Sequence, residues 1–263
     1  MNPRLASLQI YPFERLRTLL ADVTPNPALR PIDLSIGEPK HPTPALVKDA
    51  LVSALDGLSV YPRTAGMPEL RAAIAAWARR RYALAAMDPE TQVLPVNGSR
   101  EALFSIAQAI LSPDRTAKVV CPNPFYQIYE GAALLAGATP VFLNDGLPFD
   151  SIDWRGVQLA YACSPGNPTG RVLSLAQWRE LFELSDRHGF AIASDECYSE
   201  IFTDESRPTL GALDAARQLG REGFPRLVVF SSLSKRSNAP GLRSGFVAGD
   251  AALLKQFLLY RTY

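Results

Sequence analysis

Residues 175–198 read Leu-Ala-Gln-Trp-Arg-Glu-Leu-Phe-Glu-Leu-Ser-Asp-Arg-His-Gly-Phe-Ala-Ile-Ala-Ser-Asp-Glu-Cys-Tyr, and this stretch decides the fold. Its first part, 175–188, predicts a helix, and the apolar run 190–194 that follows predicts a buried strand. Asp195 ends that strand, where a carboxylate that loses its water is costly unless a cation or a hydrogen-bond donor meets it. The stretch therefore predicts a helix leading into a core strand with a functional group at its end.

The same alternation of strand and helix runs through most of the chain. Strands are predicted at 92–96, 118–121, 140–143, 157–163, 227–231 and 246–248, and helices at 44–55, 68–82, 100–111 and 127–135. This order predicts an α/β fold with a largely parallel central sheet covered by helices on both faces. Ligand sites in such sheets lie beyond the carboxyl ends of the strands.

The first forty residues contain six prolines, which break regular structure and favour an extended arm. We place this arm at residues 1–42 and the main domain at residues 43–263. Charges and prolines interrupt residues 1–20, so no signal peptide is visible. No apolar run approaches the length that spans a bilayer, and a cytoplasmic protein without membrane contact is expected.

The charged residues nearly cancel, with 27 Lys and Arg against 26 Asp and Glu. This balance gives no field that would attract nucleic acid or an anionic membrane, so a small-molecule partner is expected. The three cysteines are widely spaced in apolar runs, which favours buried free thiols, and no metal-ligand spacing is present. The three arginines at 79–81 are expected to form a solvated helix end, where cations complement the helix dipole.

Polar residues collect where the predicted strands end, at 97–100, 164–170, 194–196 and 231–235. Gly98-Ser99-Arg100 follows a strand and opens a helix, so its backbone N–H groups can hold a phosphate; alternatively, Ser99 is only a helix N-cap. Asp195 could pair with the pyridinium N–H of a cofactor, and the alternative is a helix cap or a surface ion pair.

Lys235 follows the strand at 227–231, with Ser232 and Ser234 beside it and Arg243 eight residues later. A lysine close to a second cation is suited to act as a Schiff-base nucleophile. Arg243 could bind a phosphate through two parallel hydrogen bonds. The alternative for Lys235 is a solvated surface side chain.

Several short motifs also occur in a fixed order along essentially the whole chain. They are Ser-Ile-Gly-Glu-Pro at 35–39, Tyr61 with Gly66 and Leu70-Arg71, Asn97-Gly98-Ser99, Asn167-Pro168-Thr169-Gly170, Asp195-Glu196-Cys197-Tyr198, and Ser232-Leu233-Ser234-Lys235 with Arg243. In this order they resemble the class I and II aminotransferases, which use pyridoxal 5′-phosphate and have the fold type I architecture. The resemblance implies small-molecule amino-acid and oxo-acid substrates.

The resemblance implies roles around the cofactor ring. Lys235 would bond covalently to the cofactor and then move a proton between the substrate α-carbon and the cofactor C4′. Asp195 would pair with the pyridine nitrogen. Asn167 and Tyr198 would hydrogen-bond the ring 3-oxygen, and Tyr126 would stack on the ring.

It also implies how the phosphate and the substrate are held. The implied phosphate ligands are Gly98, Ser99, the backbone N–H of Arg100, Ser232 and Arg243. Tyr61 would reach the phosphate of the neighbouring subunit, so a homodimer is implied. Gly37 would lie next to the substrate carboxylate.

Within the family, the runs 31–44, 94–104 and 120–131 resemble the succinyldiaminopimelate aminotransferases of bacterial lysine biosynthesis. This implies glutamate as one substrate and N-succinyl-2-amino-6-oxopimelate as the other. Two alternatives stay open: another fold type I enzyme, such as a C–S lyase, and a catalytically silent cofactor-binding protein. The silent proteins of this fold carry a helix-turn-helix region and a basic face, and neither is visible in this sequence.

Family members continue beyond the cofactor lysine into a small domain, which carries the arginine that binds the substrate α-carboxylate. This chain ends at Tyr263. We therefore expect that the C-terminal small domain is absent, that residues 1–42 contribute the arm and part of a small domain, and that residues 43–263 form the cofactor-binding domain. No residue is assigned to the substrate α-carboxylate.

Overall fold

The computed structural model describes residues 1–112 and 116–263. Its centre is a seven-stranded sheet in the order β1-β7-β6-β5-β4-β2-β3. The strands are β1 (Val93–Val96), β2 (Lys118–Asn123), β3 (Thr139–Asn144), β4 (Val157–Cys163), β5 (Ala191–Asp195), β6 (Leu227–Ser232) and β7 (Gly245–Gly249). The helices are α1 (Pro12–Leu19), α2 (Ala45–Ser53), α3 (Pro68–Arg81), α4 (Ser99–Ile110), α5 (Ile128–Ala136), α6 (Leu175–His188), α7 (Ala212–Gln218), α8 (Leu233–Arg236) and α9 (Ala251–Thr262).

Strand direction agrees with the predicted largely parallel sheet. Strands β3, β2, β4, β5 and β6 pair in parallel, and only β7, among the described strands, runs against its two neighbours, β6 and β1. A parallel return needs a crossover connection of a dozen or more residues, which is usually an α-helix. The link from β6 to β7, residues 233–244, holds only the short α8 and one 3-10 turn, so the chain turns straight back.

Alternation along the strands divides the core into two layers. Val119, Cys121 and Tyr161 point to one face, which is covered by α4, α5 and α9; we call it the α4 face. Val120 and Ala160 point to the opposite face, which is covered by α3, α6 and α7; we call it the α6 face. Complete burial of large side chains on both faces stabilises the fold, by about 1.5–3 kcal/mol for each side chain relative to exposure.

Local signals explain why α6 begins and ends where predicted. Ser174 accepts a hydrogen bond from the backbone N–H of Gln177, and the Gln177 side chain accepts one from the backbone N–H of Ser174. This reciprocal pair satisfies two backbone donors at the start of the helix. Gly189 ends the helix at φ 79, a left-handed conformation that favours glycine. The next strand, β5, therefore starts two residues later.

Within the first seventy residues, the arm predicted at residues 1–42 is not extended throughout. The structure has a 3-10 turn at Pro3–Ser7 and helix α1 at Pro12–Leu19. Pro3 and Pro12 each stand in the first turn, where proline's missing N–H costs no hydrogen bond, so they start helical segments instead of preventing them. Many apolar side chains of this region are exposed, among them Ile10, Leu19, Ile32, Leu34, Leu46 and Val60.

The prediction for the arginine run holds for Arg79 and Arg80, which are exposed, and is wrong for Arg81. The Arg81 side chain is 11% exposed and forms an ion pair with Glu200 at 2.8 Å. It also donates to the carbonyl oxygen of Thr209. Arg81 therefore ties the end of α3 to the segment that follows β5. Across the described ranges, no helix has both the length and the apolar character needed to cross a bilayer.

Candidate active site

The carboxyl ends of β1, β5 and β6 bring the predicted site residues to one edge of the sheet. Asp195 is the last residue of β5, Ser232 is the last residue of β6, and Gly98 stands between β1 and α4. These three strands run in the same direction and end at the same edge, which explains why residues far apart in sequence meet there. The described site is built on rigid strand ends and on two helix starts.

Asp195 is buried, with 4% of its surface exposed, and points into the α4 layer. Its Oδ2 accepts a 2.6 Å hydrogen bond from the hydroxyl of Tyr129, and its Oδ1 accepts a 3.2 Å bond from the backbone N–H of Cys197. Burial raises the pKa of Asp195, while both hydrogen bonds act to lower it. The burial excludes a surface ion pair as the role of this carboxyl group.

Tyr129 is a site residue that the sequence analysis missed. Its ring is fully buried and stacks on Tyr161, with centroids 4.5 Å apart and an interplanar angle of 17°. Burial, followed by the charge of Asp195, raises the pKa of Tyr129 well above its usual value, so the hydroxyl stays a donor. One signal was present: Tyr126 and Tyr129 are three positions apart, which places them on one side of the chain as α5 begins.

Tyr126 lies beside this pair. Its ring meets Tyr129 edge-on at a centroid distance of 6.0 Å. Burial raises the pKa of Tyr126, and the groups that act on it electrostatically include Arg100, Asp195 and Cys197. Tyr126 thus places an aromatic ring close to the Asp195 carboxylate, where the resemblance requires a stacking partner.

Gly98 and the Arg243 guanidinium lie in close contact at the start of α4. Gly98 has φ 103, and a Cβ atom added there would lie 2.3 Å from a guanidinium nitrogen of Arg243. Arg243 is itself in the left-handed region, at φ 53, and donates to the carbonyl oxygen of Pro240 at 3.0 Å. No side chain caps the first turn of α4, so its backbone N–H groups point outward beside a cation. This is an arrangement suited to an anion.

Serine hydroxyl groups line the same position. Ser232 is buried, and its Oγ bonds the Oγ of Ser234 at 2.9 Å and accepts from the Ser234 backbone N–H. Ser99 contacts the thiol of Cys197 through its hydroxyl oxygen at 2.9 Å. The backbone of Gly245 lies next to these serines, since a Cβ atom built at Gly245 would be 3.5 Å from the Ser99 nitrogen.

Lys235 reaches across to the N-terminal region. Its Nζ donates a 2.6 Å hydrogen bond to the carbonyl oxygen of Gly37, 198 positions away in sequence. The side chain is half-buried, so part of it lies out of water. The Lys235 amine therefore lies next to the Gly37 backbone.

Tyr198 and Asn167 are both partly buried. Burial raises the pKa of Tyr198 to about 12, with further contributions from Cys197 and Asp195, so the phenol is protonated at neutral pH. Asn167 follows β4, the strand that pairs with β5 through Cys163 and Asp195. These side chains can donate hydrogen bonds to an acceptor at this edge.

Two predicted residues have exposed side chains. The Arg100 side chain is exposed, and its guanidinium lies 5.8 Å from the ring centroid of Tyr11, so only its backbone can face the start of α4. Tyr61 is 99% exposed. Its implied contact with a neighbouring subunit stays a prediction.

Glu196 follows Asp195 but is bonded on the other side of the strand end. Its side chain accepts hydrogen bonds from the Tyr82 hydroxyl at 2.9 Å, the Ser194 hydroxyl at 3.0 Å and the Ala212 backbone N–H at 2.7 Å. Burial raises the pKa of Glu196 to about 7. Glu196 therefore anchors the end of β5 between α3 and α7.

Within residues 1–112 and 116–263, no group of three or more His, Cys, Asp or Glu side chains is arranged to hold a metal ion. Cys121, Cys163 and Cys197 are free thiols, of which Cys121 is buried and the other two are partly buried. Burial raises the pKa of Cys163 to about 12, which disfavours the thiolate.

The model of the family described as aminotransferase class I and II matches residues 30–261. The chain belongs to this family. Members of the family depend on pyridoxal 5′-phosphate, which agrees with the resemblance noted from the motifs.

Three relatives illustrate the match. The 4-dedimethylamino-4-oxo-anhydrotetracycline transaminase OxyQ of Streptomyces rimosus is 37% identical over 88% of this chain, and the chain spans 62% of its length. An aminotransferase crystal structure from Neisseria meningitidis is 53% identical, with a TM-score of 0.95, over 100% of this chain and 69% of that one. The N-succinyldiaminopimelate aminotransferase of Mycobacterium tuberculosis is 27% identical, with a TM-score of 0.83, over 100% of this chain and 67% of that one.

The described residues fit the family's cofactor. Pyridoxal 5′-phosphate presents an aldehyde, a basic ring nitrogen and a phosphate. Lys235 offers an amine, and Asp195 offers a buried carboxylate that burial would leave costly without a cationic partner. Because Gly98 has no side chain, the Arg243 guanidinium lies close to the start of α4, and together they can receive the phosphate.

Proposed function

We propose that this chain is the cofactor-binding part of a pyridoxal-phosphate-dependent aminotransferase. The observation that carries the proposal is the Asp195 carboxylate, which is buried at the end of β5 and hydrogen-bonded only by neutral donors among its described contacts. A protonated ring nitrogen is the cation that such a group would stabilise. Lys235 and the start of α4 lie at the same sheet edge, which supplies the other two contacts that the cofactor needs.

When bound, the cofactor acts as an electron sink that stabilises negative charge at the substrate α-carbon. Lys235 Nζ would take the proton that leaves this carbon and deliver it to the cofactor C4′. Asp195 would keep the ring nitrogen protonated. Asn167 and Tyr198 would donate hydrogen bonds to the ring 3-oxygen and favour its ionised form, and Tyr126 would pack against the ring.

The phosphate would be held by the start of α4 and by groups around it. Gly98, the backbone N–H groups of Ser99 and Arg100, the Ser232 hydroxyl and the Arg243 guanidinium would be its ligands. A charge-assisted bond from an arginine is about twice as strong as a bond between neutral groups. We therefore expect Arg243 to dominate the affinity for the phosphate.

For the substrates we propose glutamate and N-succinyl-2-amino-6-oxopimelate. The runs 31–44, 94–104 and 120–131 support this pair, together with the structural likeness to the M. tuberculosis N-succinyldiaminopimelate aminotransferase. Gly37 would lie next to the substrate carboxylate, because its carbonyl oxygen accepts the Lys235 hydrogen bond. We also propose a homodimer in which Tyr61 reaches the neighbouring phosphate, since exposed apolar side chains in the first seventy residues suit burial against a second subunit.

Borohydride trapping tests the cofactor assignment. The protein is incubated with pyridoxal 5′-phosphate, reduced with borohydride, digested and mapped by mass spectrometry. The adduct is expected on Lys235, and Lys235→Ala should lose it, whereas Lys255→Ala at an exposed site of α9 should retain it. An adduct confined to other lysines would overturn the assignment.

A second assay tests the reaction and the substrate. The full-length enzyme is supplied with glutamate and with N-succinyl-2-amino-6-oxopimelate or other oxo-acids, and the formation of 2-oxoglutarate is followed. The succinylated substrate is expected to react fastest. Turnover of a sulfur-containing amino acid to a thiol, an oxo-acid and ammonia instead would identify a C–S lyase, and a trapped cofactor without any turnover would identify a silent binding protein.

A further inference from the structure

A second cleft opens on the α6 face, on the opposite side of the sheet from the Asp195 carboxylate. Its volume is about 90 Å³, and it is open to solvent at its mouth. Val120, Ala160 and Ala162 form the floor, and Trp154 and Leu181 stand in the walls.

The cleft is distinct from the proposed cofactor site. The floor residues belong to the α6 layer, whereas Tyr129, the partner of Asp195, belongs to the α4 layer. Neither Lys235 nor Asp195 lines the cleft. The loop after β4 contributes to both places, because Asn167 and Arg171 line the cleft as well.

One ion pair stands at the mouth of the cleft. Arg171 Nη1 and Asp145 Oδ1 are 2.5 Å apart, and their side chains are 37% and 40% exposed. Beside them, the Asn123 side-chain N–H donates to Asn144 Oδ1 at 2.7 Å. An exposed pair of this kind contributes only about 0–1 kcal/mol to stability, so a ligand can separate its members at little cost.

An apolar floor below one cation and one anion matches one class of ligand. An α-amino acid with an aromatic or branched apolar side chain carries a carboxylate for Arg171, an ammonium for Asp145 and a hydrophobic body for the floor. A neutral hydrocarbon would leave both charges unused, and a simple acid or amine would use only one. The ring of Trp154 adds an aromatic surface for such a side chain.

We propose that this cleft is a binding site for an apolar α-amino acid, separate from the site of transamination. The proposal does not depend on the proposed function, because it concerns the protein without its cofactor. In that form an amino acid has no cofactor aldehyde to react with. Binding to the cleft and binding to the cofactor site are thereby distinguishable.

Fluorine NMR of 4-fluoro-L-phenylalanine tests the proposal. Cofactor-free protein is expected to broaden the ligand signal and L-phenylalanine to reverse the broadening. Arg171→Met and Asp145→Asn, at half-exposed rim positions, should each weaken binding at least tenfold. Arg179→Met, an exposed position on α6, is the matched control and should bind as the unmodified protein does, as should Lys235→Ala.

Ligand analogues separate the amino acid from simpler occupants. The acid that lacks the ammonium group, 3-phenylpropionate, and the amine that lacks the carboxylate, phenethylamine, should each bind at least tenfold more weakly. No broadening by the unmodified protein would overturn the proposal. Equal binding of toluene, or loss of binding in Lys235→Ala with retention in Arg171→Met, would also overturn it.

Discussion

The hydroxyl of Tyr129 donates a 2.6 Å hydrogen bond to Asp195 Oδ2, although 66 positions separate the two residues. Both side chains are buried, and the second oxygen of Asp195 accepts from the Cys197 backbone N–H. The carboxylate is thus oriented from two sides by neutral donors. Burial still raises its pKa, so a cation at this point would be stabilised strongly.

Tyr129→Phe removes one of these donors and leaves the ring in place. Because the lost hydrogen bond lowers the pKa of Asp195, that pKa should rise further, and less carboxylate should be ionised at neutral pH. Affinity for pyridoxal 5′-phosphate should fall about 10- to 100-fold, which corresponds to the free energy of one hydrogen bond to a charged group. Absorbance titration with the cofactor measures this change.

Tyr161→Phe is the matched control for that substitution. Tyr161 is also buried and stacks on Tyr129, but its hydroxyl donates to the carbonyl oxygen of Leu103. The substitution Tyr161→Phe should lower the free energy of unfolding by about 1–3 kcal/mol and leave cofactor affinity unchanged. Equal loss of affinity in the two variants would show that Tyr129 acts through packing instead of through its hydrogen bond.

Gly98→Ala should damage the anion site directly. A methyl group there would lie 2.3 Å from the Arg243 guanidinium, at a φ of 103 that suits only glycine. Arg243 must move, and affinity for the cofactor and for inorganic phosphate should fall at least tenfold in a calorimetric titration.

Gly189→Ala is the control that separates the effect of backbone strain from the effect of displacing Arg243. Gly189 also has a positive φ, of 79, but an added Cβ would meet nothing within 4 Å. Its substitution should cost about 1 kcal/mol of stability without any change in phosphate affinity. A matching loss of phosphate affinity in Gly189→Ala would contradict the role given to Gly98.

The Glu196 carboxyl should make stability depend on pH. Its pKa is about 7 in the folded protein, above its ordinary value of 4.5, so the folded state binds the extra proton between these values. Its contribution to stability is therefore present below about pH 4.5 and is lost as the pH rises through 7. Relative to Glu196→Gln, the protein should lose up to about 3 kcal/mol over this window. Urea unfolding of both proteins at several pH values measures the difference, and a constant difference would be the contrary result.

Arg81→Met should destabilise the fold strongly. It would leave Glu200 largely buried without its cation, since the two side chains are 11% and 19% exposed. Breaking such a pair costs about 3–5 kcal/mol. Arg80→Met, at the exposed neighbouring position, should change stability by less than about 0.5 kcal/mol. Thermal unfolding compares the two variants, and similar melting temperatures would argue against the anchoring role of Arg81.

Much of the architecture was predictable because hydrophobic periodicity and helix caps are local. The limits of α6 match the prediction, as Ser174 and Gly189 flank the helix in sequence. The strand ends also fall where polar residues follow apolar runs, which brought Asp195 and Ser232 to the predicted edge. The proline pattern does not predict helix α1, because a proline in the first turn, such as Pro12, starts a helix as readily as a later proline ends one.

The sequence by itself determined the α/β class, the family and the order of the candidate site residues, because each of these is written in contiguous motifs. Only the tertiary structure decided that β7 runs antiparallel, that Tyr129 meets Asp195, that Arg243 packs over Gly98 and that Arg81 is buried against Glu200. These contacts join residues that are far apart in the chain. Their geometry depends on strand register and on the direction of each connection, which local pattern does not encode.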